Sequence, residues 1–258
     1  MKLNIVPART GMVWVKLGIQ TFLRQPLALS GLFFMFMAVM SIASLLPWLG
    51  SAVALGLLPA ASLGLMAATR EASTGKFPMP TILISAFRAG QQRARAMLVL
   101  GAWYAVGFLL ILGLSALVDG GTFAHVYLVG GTLNRETLMT PEFQSAMWLA
   151  MGLYLPLSLL FWHAPALVHW YGISPLKSLF FSLIACFKNF WAFSVFALVW
   201  MGVFLSVGLV VATLAGMLGS PELVLTLLFP AAMLMAAMFF TSIYFSFRDC
   251  FDPEEKTP

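Results

Sequence analysis

Two histidines are the side chains of this sequence that could most plainly perform proton-transfer or metal chemistry. On one helix, His163 and His169 would point about 240° apart, since each residue turns the chain by about 100°. A shared metal ion would need i, i+4 spacing or a ligand from another segment, and no acidic residue lies near either histidine in the sequence. We therefore interpret both as packing or interfacial residues, with a ligand or proton-relay role as the alternative.

The sequence carries no motif of a known catalytic or cofactor site. It contains no G-x-x-x-x-G-K-[ST], G-x-S-x-G, H-E-x-x-H or C-x-x-C pattern. Cys186 and Cys250 are too few for a disulfide scaffold, and we expect both to be reduced thiols. We therefore predict no catalytic, cofactor-binding or metal-binding residues and no cofactor, and we expect that the protein is not an enzyme.

The charge pattern predicts the elements that position these residues. No Lys, Arg, Asp or Glu occurs between Arg24 and Arg70, and further charge-free intervals follow, each long enough for a helix of ~20 residues to cross a bilayer. Charged residues make up 9% of the chain, against roughly 25% in a soluble domain. The apolar stretches lack the alternation of β-barrel strands. The sequence therefore predicts an all-α membrane protein.

We predict six transmembrane helices and about three amphipathic surface helices at the inner leaflet. The N-terminal surface helix occupies residues 1–26, the transmembrane domain residues 27–247 and a cytoplasmic tail residues 248–258. The spans are placed at about 27–46, 51–69, 96–118, 143–162, 190–218 and 223–247, with turns at 47–50 and 219–222. The other surface helices are placed at 81–95 and 176–189, and 122–129 is either a short strand or an interfacial loop.

The distribution of lysine and arginine predicts the orientation. With six spans and a cytoplasmic N-terminus, all 14 of these residues except Arg135 lie on the cytoplasmic side, as the positive-inside rule requires. We therefore expect a multi-pass protein of the bacterial inner (plasma) membrane with both termini cytoplasmic. The basic residues, which give the chain a net charge of +5, then face anionic phospholipid headgroups. No nucleic acid is expected as a partner. Headgroup or interface contacts are predicted for Trp14, Lys16, Arg24, Arg88, Arg93, Arg95, Lys177 and Lys188.

Small residues recur at every fourth position of the second span. They form one ridge along the predicted helix: Ala52, Gly56, Ala60, Gly64 and Ala68. Such a ridge lets a second helix approach closely. The ridge predicts packing against another span of the same chain or, alternatively, contact with a membrane-protein partner or a second copy in a homo-oligomer.

Several segments carry a resemblance to known proteins. Residues 4–14 read N-I-V-P-A-R-T-G-M-V-W, and R-Q-P-L follows at 24–27. Together with 163–167 and 182–189, they resemble an uncharacterised family of multi-pass inner-membrane proteins of Gram-negative bacteria, whose motifs have no chemistry attached. The layout of a surface helix before each helical hairpin is similar, more loosely, to the membrane domain of some bacterial glycerophosphodiester phosphodiesterases. Their catalytic domain is absent from this sequence, so this resemblance implies no hydrolysis by the chain alone.

Two functions fit this sequence. The first is a non-enzymatic membrane scaffold or envelope-accessory protein that contacts lipids or other membrane proteins. The second is a transporter or flippase-like permease for a lipidic or neutral substrate, because Pro59, Pro156 and Pro165 could break helices as in carriers. A polar cavity lined by Tyr154, Ser158 or His163 would favour transport, and a solidly packed bundle would favour the scaffold. An intramembrane enzyme comes third, since no acid–base pair can be placed.

Overall fold

A computed structural model describes residues 2–46, 49–130, 134–217 and 222–251. These residues form helices and connecting turns, with no strand among them. The helices are α1 (Thr10–Arg24), α2 (Pro26–Ser44), α3 (Gly50–Ser73), α4 (Ser85–Arg88), α5 (Gln91–Asp119), α6 (Thr122–Val129), α7 (Arg135–Met139), α8 (Pro141–Phe161), α9 (Ala164–Tyr171), α10 (Pro175–Lys188), α11 (Phe190–Met217) and α12 (Glu222–Phe251). A 3₁₀ turn at Pro80–Ile84 precedes α4.

Six helical segments in the described part of the chain are long and apolar enough to cross a membrane. They are α2, α3, α5, the combined α8–α9 segment Pro141–Tyr171, α11 and the Thr226–Phe251 part of α12. They contain 19 to 31 residues, which at about 1.5 Å per residue matches a hydrocarbon core of ~30 Å. The predictions of an all-α membrane protein and of six membrane-spanning helices are confirmed.

Proline and glycine set several helix boundaries. Pro26 and Pro141 begin α2 and α8, where the missing N–H removes no helical hydrogen bond. At its other end, α5 stops at Gly120, whose φ of 67° lies in the left-handed region. Pro59 and Pro156 lie inside α3 and α8, and both helices continue through them. Neither proline therefore breaks its span.

The segment expected to be a strand or an interfacial loop is helix α6, so both expectations for 122–129 are wrong. The cause is Asp119, whose carboxylate accepts the backbone N–H of Gly121 at 2.9 Å and that of Phe123 at 2.6 Å. Because the first N–H groups of a helix have no partner within it, a carboxylate at this position stabilises a helix start. Gly120 follows the end of α5 and Gly121 precedes the start of α6, so these glycines mark helix boundaries and not a loop.

The surface helix predicted at 81–95 is interrupted at Gly90. Its φ of 100° is incompatible with a continuous right-handed helix. Before Gly90 lie the 3₁₀ turn and α4, which has 4 residues, and after it α5 begins. Arg88 therefore ends the short α4, whereas Arg93 and Arg95 belong to the first turns of the membrane-spanning α5.

The chain divides into two compact units. Unit 1 comprises Met1–Phe36, Ser62–Ser85 and Ile184–Pro258, and unit 2 comprises Met37–Ala61 and Ala86–Leu183. In unit 1, α1 packs against α11 and α12. A Cβ atom on Gly11 would lie 2.1 Å from the carbonyl oxygen of Ala192, which shows how closely the backbones approach. The apolar face of α1, which we expected to meet lipid, meets protein instead.

Trp14 accordingly departs from the prediction that it contacts headgroups or the interface. Its side chain is fully buried, and its indole Nε1–H donates to Oδ2 of Asp249 at 2.9 Å. The ring of Phe193 packs against it with centroids 5.2 Å apart. Because donor and carboxylate satisfy one another, both can be removed from water at this position.

The N-terminal segment of unit 1 is held by one asparagine. Oδ1 of Asn189 accepts the backbone N–H of Val6 at 2.8 Å, and its Nδ2 donates to the carbonyl of Asn4 at 3.0 Å. The backbone N–H of Asn4 in turn donates to the carbonyl of Cys250 at 2.9 Å. The segment before α1 is thus bonded to the start of α11 and the end of α12.

The predicted tail at 248–258 begins too early. Helix α12 continues to Phe251, and Asp249, Cys250 and Phe251 are buried. These three residues therefore belong to the packed end of α12 and not to a tail. The rest of that tail, at 252–258, lies outside the described residues, as do residues 47–48 and 219–221 of the two predicted turns.

In unit 2, α5 packs against α6, α8 and α9. It also crosses α3, where a Cβ atom on Gly101 would lie 2.1 Å from the carbonyl oxygen of Gly56. Close crossings of this kind need residues without a side chain, since van der Waals contact between backbones holds such helices together in lipid.

Candidate functional site

The clearest concave feature of unit 2 is an apolar cavity between α5, α6 and α8, which we call the aromatic cavity. Its volume is about 240 Å³. The lining residues are Phe108, Ile111, Leu112, Phe123, Tyr127, Ala150, Met151 and Tyr154. Carbon atoms dominate this lining, as is usual for sites that bind small apolar molecules.

The aromatic cavity has a buried floor and an exposed rim. Phe108, Leu112 and Ala150 are each less than a tenth exposed and form part of the floor. Tyr127 and Tyr154 on the rim are 57% and 41% exposed. The cavity is therefore open on the side where the two tyrosines lie.

Aromatic contacts fix the shape of the cavity. The ring of Phe108 lies 5.2 Å from that of Tyr127 and meets the ring of Tyr154 edge-on at 5.8 Å. Behind it, Tyr104 meets Phe161 edge-on at 5.1 Å. Edge-to-face pairs contribute about 0.5–1.5 kcal/mol each beyond their buried area, so these rings hold their positions against one another.

Three phenol hydroxyls supply the cavity region with polar groups. The hydroxyl oxygens of Tyr104 and Tyr154 are 3.5 Å apart, which is too long for a strong hydrogen bond. Burial raises the pKa of Tyr127, and the neighbouring Tyr154 adds to this effect. The phenol of Tyr127 therefore stays neutral at physiological pH and can donate or accept a hydrogen bond.

The aromatic cavity lies in one half of the predicted membrane span. From Phe108 to Asp119, at the end of α5, the helix rises about 16 Å, which is roughly half of a hydrocarbon core of ~30 Å. The cavity therefore lies nearer to Asp119 than to Arg93 and Arg95 at the start of the same helix.

A second, polar pocket lies beside the cavity, and we call it the acidic pocket. It is about 320 Å³ in volume and is lined by Asp119, Thr122, Asn134, Glu136, Thr137, Thr140, Glu142 and Phe143. Phe123 lines the cavity and Phe143 lines the acidic pocket, and their rings meet edge-on at 5.8 Å. The two spaces are therefore adjacent at this pair of rings.

Helix capping explains why several polar residues gather at the acidic pocket. Asp119 caps the start of α6, and Oδ1 of Asn134 accepts the backbone N–H of Thr137 at the start of α7. Glu136 and Glu142 lie in the first turns of α7 and α8, where negative charge is favoured by the helix dipole. The pocket is nevertheless negatively charged as a whole.

Of the three residues predicted to line a cavity, one lines the aromatic cavity. Tyr154 lies on the rim of the aromatic cavity. Ser158 instead donates its hydroxyl to the carbonyl of Leu155, one turn earlier in α8. His163 is fully buried where α8 gives way to α9, and its backbone N–H donates to Oγ of Ser182 at 2.9 Å. The cavity is also apolar, whereas a polar one had been taken as the sign of transport.

Most of helix α9 separates the two histidines along the chain. No group of three or more His, Cys, Asp or Glu side chains that could hold a metal ion occurs among the described residues. His163 precedes α9 and His169 lies near its end, with the helix between them. The interpretation of both histidines as packing or interfacial residues therefore stays a prediction.

The predicted basic contacts, apart from Trp14, are all exposed. We call these residues the basic set: Lys16, Arg24, Arg88, Arg93, Arg95, Lys177 and Lys188. None of them forms a salt bridge with another described residue. Lys16, Arg24 and Lys188 belong to unit 1 and the others to unit 2. The set is therefore available to groups outside the protein.

The small-residue ridge of α3 faces protein at several positions. Gly56 lies against Gly101, and a Cβ atom on Gly64 would lie 2.8 Å from the backbone of Leu83. Ala60 and Ala68 are buried, whereas Ala52 is partly exposed. The ridge thus has contacts within the chain, and these occupy much of the surface that a partner helix would need.

Most residues of the aromatic cavity are not among those predicted from the sequence. Tyr104, Phe108 and Leu112 recur at every fourth position of α5, so one helical face carries two aromatic rings and a leucine. That spacing is a usable signal for a shared aromatic face. Phe123 and Tyr127 on α6 show the same spacing, but the strand and loop interpretations of this segment hid it.

Comparison with known proteins identifies a relative. No protein-family model matches the chain, and no solved structure matches it. A probable inner membrane protein of Burkholderia thailandensis is 39% identical to it over an alignment that covers 99% of this chain and 96% of that protein. Because the likeness extends over nearly the full length of both, the chain belongs to the same family as that inner membrane protein.

Proposed function

We propose that the protein is a non-enzymatic accessory protein of the bacterial inner membrane that binds anionic phospholipids at its cytoplasmic face and acts as a scaffold for lipids or membrane proteins. Both termini lie in the cytoplasm in this proposal. The exposure of the whole basic set carries it, since seven cationic side chains without salt bridges to other described residues remain free for headgroup phosphates.

The strength of the attraction between the basic set and anionic lipid follows from electrostatics. A basic residue near an anionic leaflet contributes about 1 kcal/mol to lipid attraction. Arg88, Arg93 and Arg95 lie within three turns of one another along the chain and are the densest part of the basic set. A bidentate guanidinium also recognises a phosphate more specifically than a lysine ammonium does. These three arginines are therefore the strongest candidates for headgroup contact.

The test replaces these three arginines together by glutamine in the full-length protein. After extraction from native membranes in a mild detergent, mass spectrometry measures the anionic lipid that remains bound per protein. We expect a clear loss of phosphatidylglycerol and cardiolipin. Arg135→Gln is the matched control, because Arg135 is exposed and lies on the predicted outer side. Unchanged anionic lipid in the triple variant would contradict the proposal.

A flippase-like permease for a lipidic substrate is the second candidate. The open, apolar cavity in one half of the bilayer supports it, because a lipid chain rather than a polar solute fits such a lining. In proteoliposomes, a flippase would accelerate the movement of a fluorescent lipid between leaflets relative to protein-free vesicles. A scaffold would leave that rate unchanged.

A further inference from the structure

The aromatic cavity and the acidic pocket together match one kind of amphiphile. We propose that they form a binding site for a phospholipid with a primary ammonium headgroup, whose acyl chain enters the cavity while its ammonium lies in the acidic pocket. The proposal differs from the anionic-lipid contacts of the basic set in lipid class and in the residues used.

The cavity accounts for the acyl chain. A volume of about 240 Å³ corresponds to roughly eight groups the size of a water molecule, at ~30 Å³ each, and hence to a short stretch of hydrocarbon chain. Met151, Tyr127 and Tyr154 on the exposed rim leave an entrance for the chain. Since lipid tails are already in an apolar solvent, the cavity selects a chain by shape and contact and not by hydrophobic transfer.

The headgroup preference comes from charge. The acidic pocket carries three carboxylates, from Asp119, Glu136 and Glu142, and no lysine or arginine is among the described residues that line it. It also offers the oxygens of Thr137 and Thr140 as acceptors. A primary ammonium has three N–H donors and a positive charge, so it complements this lining. A glycerol headgroup carries the same phosphate but no ammonium, so it cannot form an ion pair with these carboxylates.

Because the two spaces are adjacent, one ligand molecule can occupy both. The ring of Phe123 in the cavity lining contacts the ring of Phe143 in the pocket lining, and the carboxylate of Asp119 accepts the backbone N–H of Phe123 at 2.6 Å. An amphiphile that crosses this ring pair would have its polar end at the end of α5 and its chain along the helix. In the orientation proposed above, this is the outer half of the membrane.

The experiment uses the purified full-length protein in detergent and native mass spectrometry. Phosphatidylethanolamine, phosphatidylglycerol and phosphatidylcholine with identical acyl chains are added in equal amounts. We expect the double variant Glu136→Gln, Glu142→Gln to lower the ratio of bound ethanolamine lipid to bound glycerol lipid by about tenfold relative to the unmodified protein. An unchanged ratio in the double variant would overturn the proposal, because glycerol lipid held by the basic set contributes equally to both proteins.

A second pair of variants tests the cavity itself. Ala150→Phe fills the floor and should reduce binding of all three lipids, whereas Leu155→Phe adds a ring to an exposed position of the same helix outside the lining and should not. If Ala150→Phe does not fold, Met151→Trp at the exposed rim narrows the entrance instead. Equal effects of the cavity and control variants would overturn the assignment. Because the basic set is untouched, failure here is distinguishable from failure of the proposed function.

Discussion

In unit 1, individual polar side chains form hydrogen bonds that satisfy buried polar and charged groups, which apolar packing cannot do. The carboxylate of Asp249 accepts from the indole of Trp14 and pairs with the guanidinium of Arg248 at 3.0 Å. Asn189 satisfies the backbone of two residues of the N-terminal segment at once. These bonds explain how an aspartate and an asparagine are tolerated in the buried part of this unit.

Trp14→Phe should destabilise the protein by about 1–3 kcal/mol, because it keeps most of the ring packing but leaves a buried carboxylate oxygen without its donor. Thermal unfolding in detergent, followed by loss of the monodisperse elution peak, measures the change. Trp191→Phe is the control, since Trp191 is 72% exposed. Equal melting temperatures for the two variants would show that the hydrogen bond contributes nothing.

Cys186 should resist thiol reagents in the folded protein. Burial raises the pKa of its thiol to about 12, because the charged thiolate is poorly solvated there. At pH 8 only about one thiol in 10⁴ is then ionised, and the thiolate is the reactive form. Maleimide labelling, read by mass spectrometry, should modify Cys186 only after denaturation. Cys introduced as Lys188→Cys, at an exposed position, should react at once.

At the scale of elements, the helices are held by two kinds of contact. Glycines permit close backbone crossings, as at Gly101 and Gly56 in unit 2 and at Gly11 and Ala192 in unit 1. Aromatic rings from α5, α6 and α8 line the cavity between these helices. In unit 2, the close crossing with α3 and the cavity therefore both depend on α5, which has no side chain at Gly101 and carries bulky rings further on.

Gly101→Ala should destabilise unit 2 by about 2 kcal/mol or more, because the new Cβ would overlap the carbonyl oxygen of Gly56 and backbones cannot easily move apart. Gly113→Ala on the same helix meets nothing within 4 Å and is the matched control. Comparing thermal unfolding of the two variants in detergent gives the difference. A melting temperature for Gly101→Ala equal to that of the control would argue against the close crossing.

For the whole molecule, hydropathy located the spans well because transfer into lipid is set largely by each residue's own side chain. The environment of α1 could not be read in the same way, since an apolar helix face is satisfied equally by lipid and by α11 and α12. The aromatic cavity depends on where α5, α6 and α8 separate in space. Spacing along α5 indicates which rings share a face, but not that a gap opens beside them.

The orientation can be tested on the complete chain. A reporter fused after Pro258 should report the cytoplasm, and one inserted in the 134–140 segment should report the outer side, because Arg135 alone among the basic residues lies there. Alkaline phosphatase and green fluorescent protein fusions give complementary signals for the two sides. Reports from the same side at both positions would overturn the proposed topology.

The bond between Trp14 and Asp249 joins residues that are synthesised at opposite ends of translation. Their separation of 235 residues means that the indole emerges from the ribosome long before the carboxylate exists. Contacts between residues so far apart in sequence form late in folding. Helix α1 therefore lacks its final packing partners while the spans insert. The N-terminal helix can therefore reach its final packing only after the last helix has been made.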